Sequence, residues 1–210
     1  MERMDVKAAK KLLRKKIWLK LEKKGVAKFP LPCFGRIPNF VGSGNAAAKV
    51  RLLDEWQNAK VVFVNPDYAQ RKVRECALLD GKILVMASSR LKHGFIVISP
   101  KDVKGAESFA STIKGAFKYG RTIDVDDIPR PDLVVEGAVA VDLRGNRLGK
   151  GHGYGDLEIS ILKRIFGSIP VVTTVHDTQI VEAVPSEEKD EKIGLIVTPT
   201  RIIRISPYFL

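Results

Sequence analysis

Short, nearly continuous apolar runs alternate with stretches of helical periodicity from about residue 45 onward. This alternation restricts the chain to few folds. The runs Lys60–Val64, Lys82–Ala87, Phe95–Ile98, Asp132–Val141, Pro170–Val175 and Gly194–Thr198 predict strands, with Arg201–Ile205 as a last edge strand. Helices are expected over Asn45–Asn58, with polar residues around Ser43 and Asn45 as its cap, and over Ala69–Leu79, Ser108–Lys118 and Leu157–Phe166. Apolar strands separated by helices favour a parallel sheet covered on both faces, an α/β architecture. At 210 residues the chain is long enough for one domain with a substantial core, taken as 1–210, and too short for two full-sized ones.

Ahead of that pattern lie two segments of different character. Residues Arg3 to Lys24 read as one amphipathic helix, with Val6, Leu13, Ile17 and Leu21 on its apolar face and Gly25 as its stop. Lysines and arginines crowd its other faces. Lys10 and Arg14 stand four residues apart on one side, where both can reach a single phosphate. Residues 28–44 are rich in Pro and Gly, which excludes a helix, yet carry too many apolar side chains for a solvated linker. Phe34, Ile37 and Phe40 are therefore expected to pack on the domain or to line an apolar pocket.

The stretch Arg147-Leu-Gly-Lys-Gly-His-Gly-Tyr-Gly-Asp156 carries the chemistry. An apolar segment precedes it and a helical pattern follows, so a strand is expected to feed a glycine-rich loop that feeds a helix. Glycine tolerates positive φ and close backbone approach, and a helix start offers unpaired N–H donors at the positive end of its dipole. With Arg147 and Lys150 this makes an anion cradle, and Asp156 adds an oxygen ligand for a hard cation carried on a polyphosphate. In an open α/β sheet, ligands bind at the carboxyl ends of the strands. Asp67, Ser88 with Arg90, the glycine loop, and His176 with Asp177 all follow predicted strands, so all are expected on one rim.

Other chemistries lack support. The three histidines, His93, His152 and His176, show no metal-ligand spacing, which argues against zinc. Cys33 and Cys76 form no CxxC pair and read as reduced thiols of a cytoplasmic protein. No serine sits in a nucleophile elbow. No apolar run reaches the length of a membrane span, and the charged N-terminus is not a secretory signal. The formal charge of +12 points to anionic partners without naming the anion. Abundant Lys, Arg and Glu beside few Gln and Cys also resemble a protein from a hot habitat.

The run Gly145-Asn-Arg-Leu-Gly-Lys-Gly-His-Gly-Tyr-Gly-Asp156 resembles the signature loop of the 5-formyltetrahydrofolate cyclo-ligase (methenyltetrahydrofolate synthetase) family, G-x-R-L-G-x-G-x-G-Y-Y-D. Lys10-Lys-Leu-Leu-Arg14 is similar to the family's N-terminal helix. Asp67 falls where the family places a substrate-binding Glu, and Asp190 matches a late Asp near the metal. The resemblance implies a three-layer α/β/α fold with a mainly parallel sheet, of the NagB, RpiA and CoA-transferase kind. It also implies a reaction: Mg-ATP phosphorylates the N5-formyl oxygen of 5-formyltetrahydrofolate, the N10 amine attacks, and loss of phosphate leaves 5,10-methenyltetrahydrofolate and ADP. Phosphoryl transfer of this kind demands positioning and charge neutralisation more than a covalent nucleophile.

Carried over, the resemblance assigns the phosphates to Lys10, Arg14, Arg147, Leu148, Gly149, Lys150, Gly151, His152, Gly153 and Tyr154. Arg147 and Lys150 become catalytic, Asp156 and Asp190 hold Mg, and Asp67, Phe40 and Tyr154 contact the reduced formyl-pterin. The chain departs from the pattern at Gly155, where a second aromatic is usual, at Gly194, where many members carry Asp, and in the shorter acid Asp67. Arg36–Phe40, Asn65–Asp67, Asp156–Glu158 and Val175–Gln179 resemble a divergent branch that includes archaeal proteins and animal proteins fused to RNA-binding modules. Two alternatives stand beside the cyclo-ligase: an ATP-using paralogue with another small substrate, such as a thiamine-related one, and a noncatalytic nucleotide- or RNA-binding module. RNA is the less favoured partner, because the basic helix offers only Trp18 for stacking. The expected state is a monomer or homodimer.

Overall fold

The computed structural model describes residues 5–88 and 91–207. Arg3, in the expected first helix, and Arg90, on the expected rim, lie outside them. The chain opens with α1 (Val6–Lys23), the strand pair β1 (Ala27–Lys28) and β2 (Asn39–Phe40), then α2 (Ser43–Val50) and α3 (Asp54–Asn58). Next come β3 (Val61–Val64), α4 (Arg71–Leu79), β4 (Ile83–Ala87), β5 (Phe95–Ile98), α5 (Glu107–Ala110), α6 (Ile113–Tyr119) and β6 (Arg121–Ile123). The remainder is β7 (Leu133–Glu136), the hairpin β8 (Ala140–Val141) and β9 (Arg147–Leu148), α7 (Tyr154–Phe166), β10 (Val171–Thr174), β11 (Leu195–Val197) and β12 (Ile202–Arg204).

Eight strands form the main sheet in the order β12-β11-β10-β7-β3-β4-β5-β6. The central neighbours β11, β10, β7, β3 and β4 pair in parallel, and β12, β5 and β6 join antiparallel at the flanks. Side chains alternate across the sheet, so each strand feeds two cores. Val62, Val64, Leu133 and Val135 face Val50, Trp56, Val73, Ala77 and Ala116 from the helices of one layer. Phe63, Val85, Val134 and Val171 face Ile159 and Leu162 of α7 in the other. This is the three-layer α/β/α arrangement. A third core holds α1 in place: Ile17 and Leu21 pack on Cys33, Ile37, Ala140 and Leu148.

Two expected helices are each broken in two, for local reasons. Asn45–Asn58 becomes α2 and α3, and α2 starts earlier, after Gly42 in the left-handed region at φ +83°, with no side-chain cap from Ser43 or Asn45. Ser108–Lys118 becomes α5 and α6, because Thr112 leaves helical geometry and its side chain accepts a hydrogen bond from the Gly115 amide. Gly115 is required there, since a Cβ would stand 1.9 Å from the Phe109 carbonyl oxygen. The apolar run 132–141 is likewise not one strand. It leaves the sheet at Gly137, and the β8–β9 hairpin intervenes before the glycine loop.

Arg74 of α4 is 1% exposed and donates to three main-chain carbonyls: Nη1 to Asn65 at 2.5 Å and Asp67 at 3.0 Å, and Nε to Ser111 at 2.8 Å. It pins the segment after β3, beyond the last ladder bond from the Asn65 amide to the Val135 carbonyl. Truncating it strands buried acceptors, and unpaired buried groups cost about 1–3 kcal/mol each. Arg74→Met is therefore expected to lower unfolding free energy by about 3 kcal/mol in urea melts; a loss under about 1 kcal/mol would mean that water replaces the guanidinium at those carbonyls.

Candidate active site

The topology itself selects the place. From β3 the chain moves outward through β4, β5 and β6, then returns to the opposite side of β3 as β7. The carboxyl ends of β3 and β7 thus flank the point where strand order reverses, the usual location of a ligand crevice. A cleft of about 920 Å³ opens there. Its walls come from the residues following β3, the end of β7, the glycine loop, the start of α7, one face of α1, and the segment around Glu187 and Asp190.

The loop forms one wall. Gly151 and Gly153 adopt φ +110° and +76°, and Gly153 serves as the N-cap of α7 without a side-chain cap bond. A 13-residue helix thereby opens directly onto the cleft with its first amides uncapped by side chains. Gly151 is favoured by its φ of +110°, which a side chain would strain, while a Cβ there would only make ordinary contact with Arg14 Cζ at 3.4 Å. Arg14 Nε donates to the Gly149 carbonyl at 2.7 Å. Burial lowers the Arg14 pKa, partly countered by Asp156 and Asp190, but the group stays cationic near neutrality. Lys150 pairs with Asp67 at 2.6 Å and Lys10 with Asp190 at 2.5 Å and Glu187 at 3.0 Å. Burial opposes the charge on Lys10, but these two acids outweigh it and raise its pKa.

The floor is more deeply enclosed. Arg147, 4% exposed, donates to the Gly137 carbonyl at 3.0 Å and to Asp156 at 2.6 Å. Beside it lie Glu136, Glu158 and Asn65, all buried and all lining the cleft. Asn65 Nδ2 donates to Glu136 Oε1 at 2.8 Å and to Asp67 at 3.1 Å. Among the described residues, Glu136 Oε2, Glu158 Oε2, Asn65 Oδ1 and Arg147 Nε have no hydrogen-bond partner. Burial pushes the Glu136 carboxyl up to about 7 despite Arg147, and raises Glu158 well above the carboxylate range, with the Glu136 charge adding to the effect. Burial opposes the charge on Arg147, but Asp156 and Glu136 outweigh it and raise its pKa.

The sequence-derived residues divide accordingly. Lys10, Arg14, Asp67, Arg147, Gly149, Lys150, Gly151, His152, Gly153, Tyr154, Asp156 and Asp190 all meet at this cleft. Leu148 is in the loop but buried, its side chain spent in the α1 core. Phe40 is not at the cleft: it is 1% exposed, packed in the core beneath α2 and edge-on to His176 at 6.2 Å. Pairing of β2 with β1 turns it inward. Of the connector, Ile37 reaches the cleft, and Phe34 stacks on Trp18 instead. Ser88, His176 and Asp177 follow the carboxyl ends of β4 and β10 on the expected edge of the sheet, but they do not line the cleft. Ser88 caps a turn at His93, His176 caps a 3₁₀ turn through Thr178, and Asp177 holds Thr200 and Arg201. Glu136, Glu158 and Asn65 went unassigned from sequence. A charged residue inside the apolar run Leu133–Val141, and another on the buried face of α7, were the available signals.

Chemically, the cleft couples cations and helix amides, which suit an anion, to carboxylates at its edge and floor. Among the described residues, no three His, Cys, Asp or Glu side chains converge as an all-protein metal site. Asp156 and Asp190 instead suit a magnesium ion that arrives on a polyphosphate and needs only one or two carboxylates.

Comparison with known proteins identifies the relatives of the chain. The sequence profile of the 5-formyltetrahydrofolate cyclo-ligase family matches residues 6–199. The chain is 38% identical over 213 residues to a methenyltetrahydrofolate synthase domain-containing protein of Homo sapiens, covering 97% of this chain and 55% of that one. It is 36% identical over 203 residues to the protein of the same description from Mus musculus, covering 93% and 55%. The chain thus spans about half the length of these relatives. The NMR structure of Aquifex aeolicus 5,10-methenyltetrahydrofolate synthetase superposes with a TM-score of 0.60 at 20% identity, covering 93% of this chain and 92% of that one, and so shares the fold.

The raised Glu136 pKa has a measurable sign. Its carboxyl is harder to ionise folded than unfolded, so the neutral form favours the fold and that advantage is lost as pH rises from about 4.5 to about 7. Glu136→Gln removes the loss. The variant is expected to melt progressively higher than the parent between pH 5 and pH 8, and a difference that does not change with pH would contradict the assignment.

Proposed function

The chain belongs to the 5-formyltetrahydrofolate cyclo-ligase family, and from that premise we propose ATP- and Mg-dependent cyclisation of 5-formyltetrahydrofolate, or a related formyl-pterin, to the 5,10-methenyl form. The observation that carries this reading is the meeting of Arg14, Arg147, Lys150 and the uncapped α7 start with Asp67 and Asp156 in one cleft. The loop amides, Arg14 and Lys150 hold the transferred phosphate, and Arg147 fixes Asp156 toward it through the 2.6 Å pair. Magnesium, when bound, neutralises charge on the β- and γ-phosphates. Lys10, paired with Asp190 in the structure, would lie within reach of such phosphates, and Asp190 with Asp156 would hold the cation. Asp67, held by Lys150 and Asn65, orients the substrate. Tyr154, with Tyr68 and Ile37 on the opposite side, offers flat apolar surface for a ring.

A second reading, an ATP-using enzyme with another small substrate, is favoured by the acidic floor under Gly155. The resembling pattern has an aromatic at that position.

The test is appearance of methenyl absorbance with purified protein. Product is expected only with both ATP and Mg, and Lys150→Ala should lower kcat by about 100-fold, as for loss of one donor to a developing anion. Mg-ATP binding without product would transfer support to the second reading; no heat with Mg-ATP would remove both.

A further inference from the structure

We propose that Glu136, Glu158 and Asn65 form a recognition subsite on the cleft floor that receives the amino-substituted edge of a planar nitrogen heterocycle. The inference rests on the reading of this cleft as a small-molecule site, and goes beyond it by naming the chemical edge the substrate presents.

Two glutamates on the interior side of a sheet and a helix are costly unless something answers them. Within the described residues the answer is incomplete. Glu136 Oε2, Glu158 Oε2 and Asn65 Oδ1 belong to residues no more than 4% exposed, line the cleft, and have no hydrogen-bond partner. The Asn65 amide cannot simply turn over to cover the deficit. Its Nδ2 serves two carboxylates, Asp67 and Glu136, which leaves Oδ1 as the outward acceptor. Arg147 is the cation buried at the floor; its two terminal nitrogens serve the Gly137 carbonyl and Asp156, and its Nε–H is left unpaired. One unpaired N–H stands against three unpaired oxygens, so the floor is short of donors.

Gly155 keeps a side chain off this floor. A Cβ at 155 would stand 2.7 Å from Glu136 Oε1 and 3.0 Å from both terminal nitrogens of Arg147. The loop therefore crosses the carboxyl without a side chain over it, where the resembling pattern has an aromatic. Phosphate is the wrong occupant, since it would bring further acceptor oxygens to a floor whose unpaired atoms are mostly oxygens. Hydroxyl groups donate but bring no positive polarisation, and the nearby walls from Ile37, Tyr68 and Tyr154 are flat. An amino group beside a ring nitrogen gives coplanar N–H donors polarised toward positive charge, which match a carboxylate with a neighbouring amide oxygen.

The whole chain is titrated, without nucleotide, with 6-methylpterin, with 2,4-diaminopyrimidine, and with unsubstituted pyrimidine as the donor-free control. At least one amino-bearing probe is expected to bind about 10-fold or more tightly than pyrimidine, and Glu136→Gln is expected to remove about 10-fold of that affinity. Glu158→Gln repeats the test if the first variant fails to unfold cooperatively. Equal affinity for the probes and pyrimidine, no binding of either probe, or unchanged affinity in the folded variants would each overturn the subsite. Binding of 2,4-diaminopyrimidine but not of 6-methylpterin would support the subsite and count against a pterin substrate, so the two readings fail separately.

Discussion

The Arg147 guanidinium is the joint on which this molecule turns. It is nearly sealed from solvent, and it links the carbonyl of Gly137, where β7 leaves the sheet, to Asp156 in the first turn of α7. Those two points bracket the hairpin and the glycine loop. A buried cation with fewer than its full set of partners is expensive, and breaking one of its pairs would leave a charge with no water to receive it. The same enclosure that makes the group costly keeps the loop in one conformation. The helix amides are then already aimed when an anion arrives, and no ordering of the loop has to be set against binding.

Around that joint the electrostatics are divided by depth. Cations on α1 and the loop meet the cleft from its walls: Lys10 and Lys150 are paired with acids, and Arg14 is held on the Gly149 carbonyl. Acids lie beneath, where Arg147 compensates them only in part. A cleft built for a polyanion alone would not keep two carboxyls on its floor. The arrangement reads instead as two zones for two parts of a bound assembly, a phosphate-bearing one and a nitrogen-bearing one, with Asp67 and Lys150 at the border between them.

Much of the fold was legible because its strands are short, apolar and β-branched, and because parallel strands buried on both faces cannot hide that composition. The errors came where a local event overrides periodicity. Thr112 capping α6, Gly42 starting α2 and Gly137 ending β7 each act through one residue, and a window of ten averages them away. The cradle was legible for the opposite reason: Arg147, Lys150, Asp156 and the glycines lie in one stretch, so sequence proximity stands in for spatial proximity. The floor was not. Asn65, Glu136 and Glu158 come from three elements, brought together by the reversal of strand order, and only pairing of β3 with β7 makes Asn65 and Glu136 neighbours. Phe40 misled because an aromatic in a proline-rich connector suits a pocket wall and a core equally well until β1 and β2 fix its direction.

The bond from Lys10 to Asp190 spans 180 positions of sequence. The cleft borrows its walls from both early and late segments, so during synthesis no phosphate pocket exists until the late segment has emerged and docked. Loop closure of that length is slow to achieve and carries little reward until it is complete. A polyphosphate that bridges α1 and the loop would bind only the finished topology, and would hold the two distant segments together by mass action. A bound polyanion would then serve the chain as a clasp, and the fold would be most secure where that ligand is abundant.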